Sequence, residues 1–106
     1  MSVSAQISLL IKEIVLGYDP EKIYLFGSHA RGDGSAESDI DLFIVKNTTK
    51  RKIERSQDVR KCIKTYPLTG LDLIIYTPIE LEHAMLDTVN IGKEAVHNGK
   101  LMYERV

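Results

Sequence analysis

Two short apolar runs, separated by a loop rich in glycine and serine, constrain the fold of this chain more than any other feature. The first run, residues 23–26, leads directly into Gly27 and Ser28, and the second contains Asp41. Each run has the length and the apolar character of a buried strand, and the glycines between them end any helix early. The pattern therefore predicts two strands, at about residues 22–27 and 38–46, joined by a short helical turn and a loop.

The acidic pair at the start of the second run is a candidate metal site. Because successive side chains of a strand point to opposite faces, Asp39 and Asp41 are expected on one face, about 7 Å apart. Like charges at that distance repel, and such a pair is most readily tolerated when a cation lies between them. Mg²⁺ is the expected ion, because it takes oxygen ligands from one or two carboxylates and from substrate phosphates, and Mn²⁺ suits the same ligands.

The Gly27-Ser28 turn supplies a candidate phosphate site next to the acidic pair. Glycine lets the backbone approach a ligand, and Ser28 is predicted to cap the following turn, where exposed N–H groups attract an anion. Arg31 lies one turn later, and its guanidinium matches the geometry of phosphate oxygens. A salt bridge from Arg31 to Asp33 or Glu37 that braces the loop is the alternative to a nucleotide contact.

The spacing of these motifs resembles a known family. Gly27-Ser28, the ten residues 29–38 and then Asp39-Ile40-Asp41 match the G-S-x10-D-x-D signature of the DNA polymerase beta-like nucleotidyltransferase superfamily. The length resembles its smallest branch, the minimal nucleotidyltransferases, which are often paired with HEPN-domain proteins in toxin–antitoxin systems. The resemblance covers nearly the whole chain. It implies an α/β (α+β) fold, with a small mixed sheet of three or four strands flanked by helices in a single domain over residues 1–106.

Asp72 interrupts an otherwise apolar third strand, predicted at residues 71–76. A lone carboxylate buried in a sheet is costly unless a charge or a metal compensates it, which favours a functional role. Members of the superfamily carry a third carboxylate on the strand next to the D-x-D pair, and the resemblance implies that Asp72 fills this position. A strand-end aspartate satisfied by the backbone or by solvent is the alternative.

The resemblance implies transfer of a nucleoside monophosphate, with AMP from ATP as the expected case and two Mg²⁺ ions as the cofactor. Larger relatives add a domain that holds the acceptor, so a HEPN-type partner protein is expected to provide the acceptor hydroxyl, with this chain as the antitoxin. A non-catalytic, nucleotide-binding antitoxin that neutralises its partner by complex formation is the alternative. The purely structural alternative is a hairpin-like unit whose Asp39 and Asp41 merely face water. The predicted catalytic and metal-binding residues are Asp39, Asp41 and Asp72, and the predicted nucleotide-binding residues are Gly27, Ser28, Arg31 and Ser38.

Composition sets limits on the partners. The net charge of -1 gives no general attraction to nucleic acid or to a membrane surface, so a nucleic-acid partner is not favoured. No apolar stretch reaches the roughly 20 residues that span a bilayer, no leader pattern is present, and the single Cys62 fits a reducing compartment. We therefore expect a soluble, cytoplasmic protein that forms oligomers.

Outside the motifs, periodicity predicts helices at residues 3–16 and 50–65, another helix from Pro78, and a last helix that stops near Gly99. The helix at 50–65 carries seven basic and two acidic residues. This excess predicts a solvated face, with a docking patch for an acidic partner or RNA as the alternative. A turn at residues 66–70 and a short extended tail at 101–103 complete the prediction.

Overall fold

The computed structural model describes residues 2–64 and 70–106 of the chain. Most of the turn predicted at 66–70 lies outside the described residues. No helix in the described part of the chain is long and apolar enough to cross a membrane. The elements are, in chain order, α1 (Val3–Tyr18), β1 (Lys22–Phe26), α2 (Ser28–Arg31), β2 (Ile40–Val45), α3 (Lys52–Cys62), β3 (Leu71–Tyr76), α4 (Pro78–Ala84), α5 (Ile91–Asn98) and β4 (Lys100–Glu104).

The four strands form one mixed sheet in the order β3-β2-β1-β4. Strand β2 runs antiparallel to β1 and parallel to β3, and β4 pairs antiparallel with the other side of β1. The predicted mixed sheet flanked by helices is confirmed. The tail predicted at 101–103 is in fact part of strand β4, because backbone pairing with β1 extends it over five residues.

Helices cover both faces of the sheet. Ile40, Leu42 and Ile44 of β2 pack with α1 and α3, while Phe43 and Val45 belong to a second apolar cluster with α4 and α5. Because side chains alternate along a strand, Asp41 shares the face of Phe43 and Val45. Asp41 therefore lies on the face of the sheet that α4 and α5 cover.

The first helix ends later than the sequence predicts. Helix α1 starts at a Ser2 cap and continues through Gly17 to Tyr18, and Asp19 closes it in the left-handed conformation (φ 52°). Gly17 instead allows close packing of α1 on α3, because a Cβ atom there would lie 2.7 Å from the Sγ of Cys62.

Arg55 is the exception to the predicted solvated basic face, because the other basic residues of segment 50–64 are exposed. Its side chain is only 7% exposed and forms a two-pronged ion pair with Glu80, with Nη1 2.6 Å from Oε1 and Nη2 3.2 Å from Oε2. Nη1 also donates to the carbonyl of Ile75, at 3.1 Å. The pairing with Arg55 is the main reason why the pKa of Glu80 is lowered. The guanidinium thus connects α3, β3 and α4 in the core rather than facing a partner.

Replacing Arg55 with Met is expected to lower the free energy of unfolding by about 2–4 kcal/mol, because it leaves Glu80 and the Ile75 carbonyl without their donor. The matched control is Arg51→Met, which removes an ion pair whose arginine is 81% exposed and should cost less than about 1 kcal/mol. Urea denaturation of both variants measures the difference. Equal costs would show that the core position of Arg55 contributes nothing beyond an exposed ion pair.

Candidate active site

Asp41 and Asp72 form the centre of the site. They lie opposite each other in the register of the parallel strands β2 and β3, so their side chains leave the same face of the sheet from neighbouring strands. Asp41 is half-buried, whereas Asp72 is exposed. The prediction that Asp72 is a buried carboxylate is therefore wrong, although its predicted place beside the D-x-D pair is where the structure puts it.

Asp41 binds its proton more tightly than an ordinary aspartate, because its surroundings raise its pKa. Burial, a hydrogen bond with Asp72, and the charges of Asp72 and Asp39 raise the pKa of Asp41 to about 6, and the nearby His29 opposes this shift. None of the three aspartates forms an ion pair with Lys or Arg among the residues described. The negative charge of the site is therefore not neutralised by any lysine or arginine ion pair within residues 2–64 and 70–106.

Gly27 brings the backbone into contact with this pair. It follows β1 with φ 77° and ψ −156°, a conformation that is essentially restricted to glycine. A Cβ atom at this position would lie 2.2 Å from the Oδ2 of Asp41. Only glycine fits this position, because its φ angle is positive and because the backbone lies directly against Asp41.

Asp39 lies outside strand β2, which starts one residue later than the aspartate. Its Oδ1 accepts a hydrogen bond from the N–H of Gly70, at 3.1 Å, and a Cβ atom on Gly70 would lie 2.6 Å from the same oxygen. Over residues 2–64 and 70–106, no three His, Cys, Asp or Glu side chains are grouped so that they could hold a metal ion. The structure therefore brings Asp41 and Asp72 together directly, with Asp39 close by and turned toward Gly70.

The predicted phosphate side has a different local structure from the one expected. Helix α2 spans four residues, and its N-cap is Gly27 rather than Ser28, whose hydroxyl makes no capping bond. The N–H groups of the first helical residues have no partner within a helix, so Ser28 still presents its N–H group at this end. Ser28 is thus placed beside Gly27 as predicted, but the prediction that its side chain caps the turn is wrong.

The remaining predicted residues brace the loop between α2 and β2. Arg31 Nε lies 3.4 Å from Oδ2 of Asp33, which is the bracing contact that the sequence left as an alternative. Ser38 Oγ accepts a hydrogen bond from the N–H of Ser35, at 3.0 Å. His29 is half-buried, and its Nε2 donates to the Ser38 carbonyl at 3.1 Å. Nucleotide contacts of Arg31 and Ser38 stay predictions.

Sequence reasoning missed the opposite wall of the site. A cavity of about 120 Å³ lies between the end of β1 and helix α5, lined by Phe26, Gly27, Arg31, Glu94 and Asn98. Glu94 and Asn98 lie one turn apart on helix α5, which carries no motif, so only the folded chain shows that they lie beside Gly27.

Comparison with known proteins agrees with this geometry. Residues 10–106 match the family described as "Polymerase beta, Nucleotidyltransferase". The chain belongs to the polymerase beta nucleotidyltransferase family. This family membership supports transferase activity on a nucleotide substrate at a general level.

Two relatives of this nucleotidyltransferase-family chain carry consistent names. A provisionally named protein adenylyltransferase of Methanocaldococcus jannaschii is 31% identical in an alignment of 93 residues that covers 84% of this chain and 62% of the relative. The chain thus spans less than two thirds of that protein. The crystal structure of a provisionally named nucleotidyltransferase from Sulfolobus solfataricus superposes with a TM-score of 0.62 at 25% identity, covering 97% of this chain and 86% of the other.

The donor set of this family member fits a hard divalent cation. Asp41 and Asp72 present carboxylate oxygens side by side, and their mutual repulsion is relieved by a positive ion. Mg²⁺ is commonly held by one or two protein carboxylates with substrate phosphates as further ligands. Two adjacent aspartates, with Asp39 close by, match that requirement better than they match an all-protein metal cage.

The raised pKa of Asp41 predicts an unusual pH dependence of stability in metal-free protein. The folded state binds a proton on Asp41 up to about pH 6, above the ordinary value of 3.8, so the cost of ionising this group is present above pH 6 and disappears as the pH falls toward 4. In a chelator, the Asp41→Asn variant of this nucleotidyltransferase-family chain should melt at a higher temperature than the wild type at about pH 7.5, and the difference should shrink toward zero near about pH 4. Calorimetric melting across this range is the measurement. A difference that does not change with pH would contradict the shift.

Proposed function

We propose that this protein is a metal-dependent adenylyltransferase that transfers AMP from ATP to a hydroxyl group on a partner protein. The observation that carries the proposal is the in-register pair of Asp41 and Asp72, with Gly27 against Asp41. Among the described residues, neither aspartate forms an ion pair with lysine or arginine. The family match and the name of the Methanocaldococcus jannaschii relative support transfer of a nucleotide, and adenylate in particular.

The reaction proceeds by in-line displacement at the α-phosphorus of ATP. The acceptor oxygen forms a bond to that phosphorus, the bond to the oxygen that bridges the α- and β-phosphates breaks, and pyrophosphate leaves. Asp72 is exposed, so it can be reached by an incoming hydroxyl and can receive its proton. The chemistry therefore needs one ionised carboxylate that is open to the acceptor side, and Asp72 fits that role.

Asp39, Asp41 and Asp72 are the residues that would hold Mg²⁺, with two ions expected and Mn²⁺ as a substitute. When bound, the metal supplies Lewis-acid charge at the phosphates and at the attacking oxygen. Asp39 gives its Oδ1 to the Gly70 N–H, so its remaining oxygen is the one available to a ligand. The backbone at Gly27 and Ser28 would contact the terminal phosphates, because Gly27 carries no side chain that could block their approach. A Cβ atom on Gly27 would also clash with Asp41.

The acceptor we propose is a HEPN-type protein, and its modification would make this chain an antitoxin. The support is the resemblance to the minimal nucleotidyltransferases and the name of the relative, in which a protein is the object of adenylyl transfer. A tyrosine hydroxyl on the partner is the expected site of modification.

The test is to purify the protein with the product of the gene next to its own and to incubate the two with ATP and Mg²⁺. We expect the intact mass of the partner to rise by one adenylate, on a tyrosine, with release of pyrophosphate. The matched control is the Asp41→Asn variant, which should form the same complex without modifying the partner. If that variant silences the partner as well as the wild type does, the protein acts by complex formation and the proposal is wrong.

A further inference from the structure

Helix α5 places two polar side chains beside the candidate active site, and neither has a partner in the part of the chain that the structure describes. Glu94 and Asn98 both line the 120 Å³ cavity next to Gly27. Neither side chain forms a hydrogen bond or an ion pair with any residue of the described chain. Polar groups that converge on a cavity and are unused by the fold are available to a ligand.

A second space adjoins these two side chains. A cleft of about 440 Å³ lies along α5 and its preceding turn, and Glu94 and Asn98 line it as well. Apolar Val89 and Ile91 also line this cleft. Its volume falls within the roughly 300–1,000 Å³ typical of small-molecule sites. Because the same two side chains line the cavity at Gly27 and this cleft, a nucleotide with its phosphates at Gly27 can place its nucleoside in the cleft.

The chemistry of the two side chains favours a base that carries an amino group next to a ring nitrogen. The amide of Asn98 offers one donor and one acceptor side by side, which complements the amino group and ring nitrogen of adenine. The carboxylate of Glu94 only accepts, so it favours an amino group over a carbonyl at the same place. Val89 and Ile91 add apolar surface to the cleft, against which the faces of a base can pack.

We infer that Glu94 and Asn98 of helix α5 form the base-recognition pocket of the donor nucleotide and select a 6-aminopurine. This inference rests on the proposed function, because it assigns the base end of a nucleotide whose phosphates lie at Gly27. It makes α5 part of the substrate site rather than only a cover for the sheet. The selection is a matter of hydrogen bonding, so exchanging the 6-amino group for a 6-oxo group should be enough to lose it.

The test compares the binding of ATP and of inosine triphosphate, which differ in that exchange, by calorimetry in the presence of Mg²⁺ and without an acceptor. The full chain should bind ATP roughly tenfold more tightly than inosine triphosphate. Asn98→Ala should remove most of this preference, with thermal melting used to check that the variant is folded. The matched control is Asn47→Ala, the same substitution at an exposed position beyond the far end of β2, which should keep the full preference.

The possible outcomes separate this inference from the function on which it rests. Equal binding of ATP and inosine triphosphate by the wild type, or an unchanged preference in folded Asn98→Ala, would overturn the base pocket and leave the proposed transferase intact. Absence of any nucleotide binding by the wild type would overturn both. Loss of the preference in Asn98→Ala alone supports the pocket.

Discussion

Replacing Asp41 with Asn is expected to lower adenylyl transfer to the partner at least about 100-fold while the fold is retained. Asn has the shape of Asp and can still hydrogen-bond to Asp72, but it carries no charge to hold a cation beside the phosphates. The measurement is transfer of labelled adenylate to the partner at saturating ATP and Mg²⁺. Circular dichroism of the variant checks that its secondary structure is unchanged.

The matched control for this experiment is Asp58→Asn on helix α3. Asp58 pairs with Lys50 on the sheet face opposite the site, so it undergoes the same chemical change away from the proposed chemistry. This control should keep the transfer rate of the wild type. Comparable rates in Asp41→Asn and Asp58→Asn would mean that Asp41 is not part of the catalytic machinery.

Gly27→Ala is expected to have the second large effect, because the added methyl group would both strain the backbone and clash with Asp41. The positive φ angle is strained for alanine, and the new Cβ atom would lie 2.2 Å from Asp41 Oδ2. We expect a loss of about 2–4 kcal/mol in the free energy of unfolding and a roughly 100-fold loss of transfer, because Asp41 must move. Urea denaturation and the transfer assay measure the two effects.

Gly32→Ala separates backbone strain from the clash. Gly32 also has a positive φ angle, 87°, but a Cβ atom there would meet nothing within 4 Å. This variant should lose only about 1 kcal/mol of stability and should keep most of its activity. Equal effects of the two substitutions would show that the contact between Gly27 and Asp41 has no special role.

The central strands could be predicted from the sequence because their signals are local. The apolar run of β2, with covered faces on both sides, and the Thr77 cap of α4 need no knowledge of the rest of the chain. Strand β4 and the end of α1 could not be predicted in the same way. Strand β4 forms because it pairs with β1. Helix α1 can continue past Gly17 because this glycine packs closely against Cys62 on α3.

The same distinction between local signals and long-range contacts applies to the candidate site. The spacing of Gly27, Asp39 and Asp41 is visible in the sequence, and so is an acidic residue interrupting β3. What the sequence lacks is the direction of each side chain, so it could not show that Asp39 turns toward Gly70 or that Asp72 is exposed. Glu94 and Asn98 were missed because they approach the site from the other end of the chain.

Two of the basic residues of α3 illustrate a second limit. Seven positive charges in one segment predict a charged surface, yet Arg55 lies in the core and Arg60 donates to the carbonyl of Leu71. Charge counts do not reveal which guanidinium groups serve as internal hydrogen-bond donors. The alternative of a nucleic-acid patch on α3 therefore has fewer free charges than the sequence suggests.

The central claim is that Asp41 and Asp72 together hold the cation that accompanies the nucleotide. The most direct test is a Mn²⁺ titration, followed by electron paramagnetic resonance, in the presence of a non-hydrolysable ATP analogue. The wild type and Asp58→Asn should bind Mn²⁺ with the analogue, and Asp72→Asn should lose at least about tenfold in Mn²⁺ affinity. Unchanged Mn²⁺ affinity in folded Asp72→Asn would contradict the account.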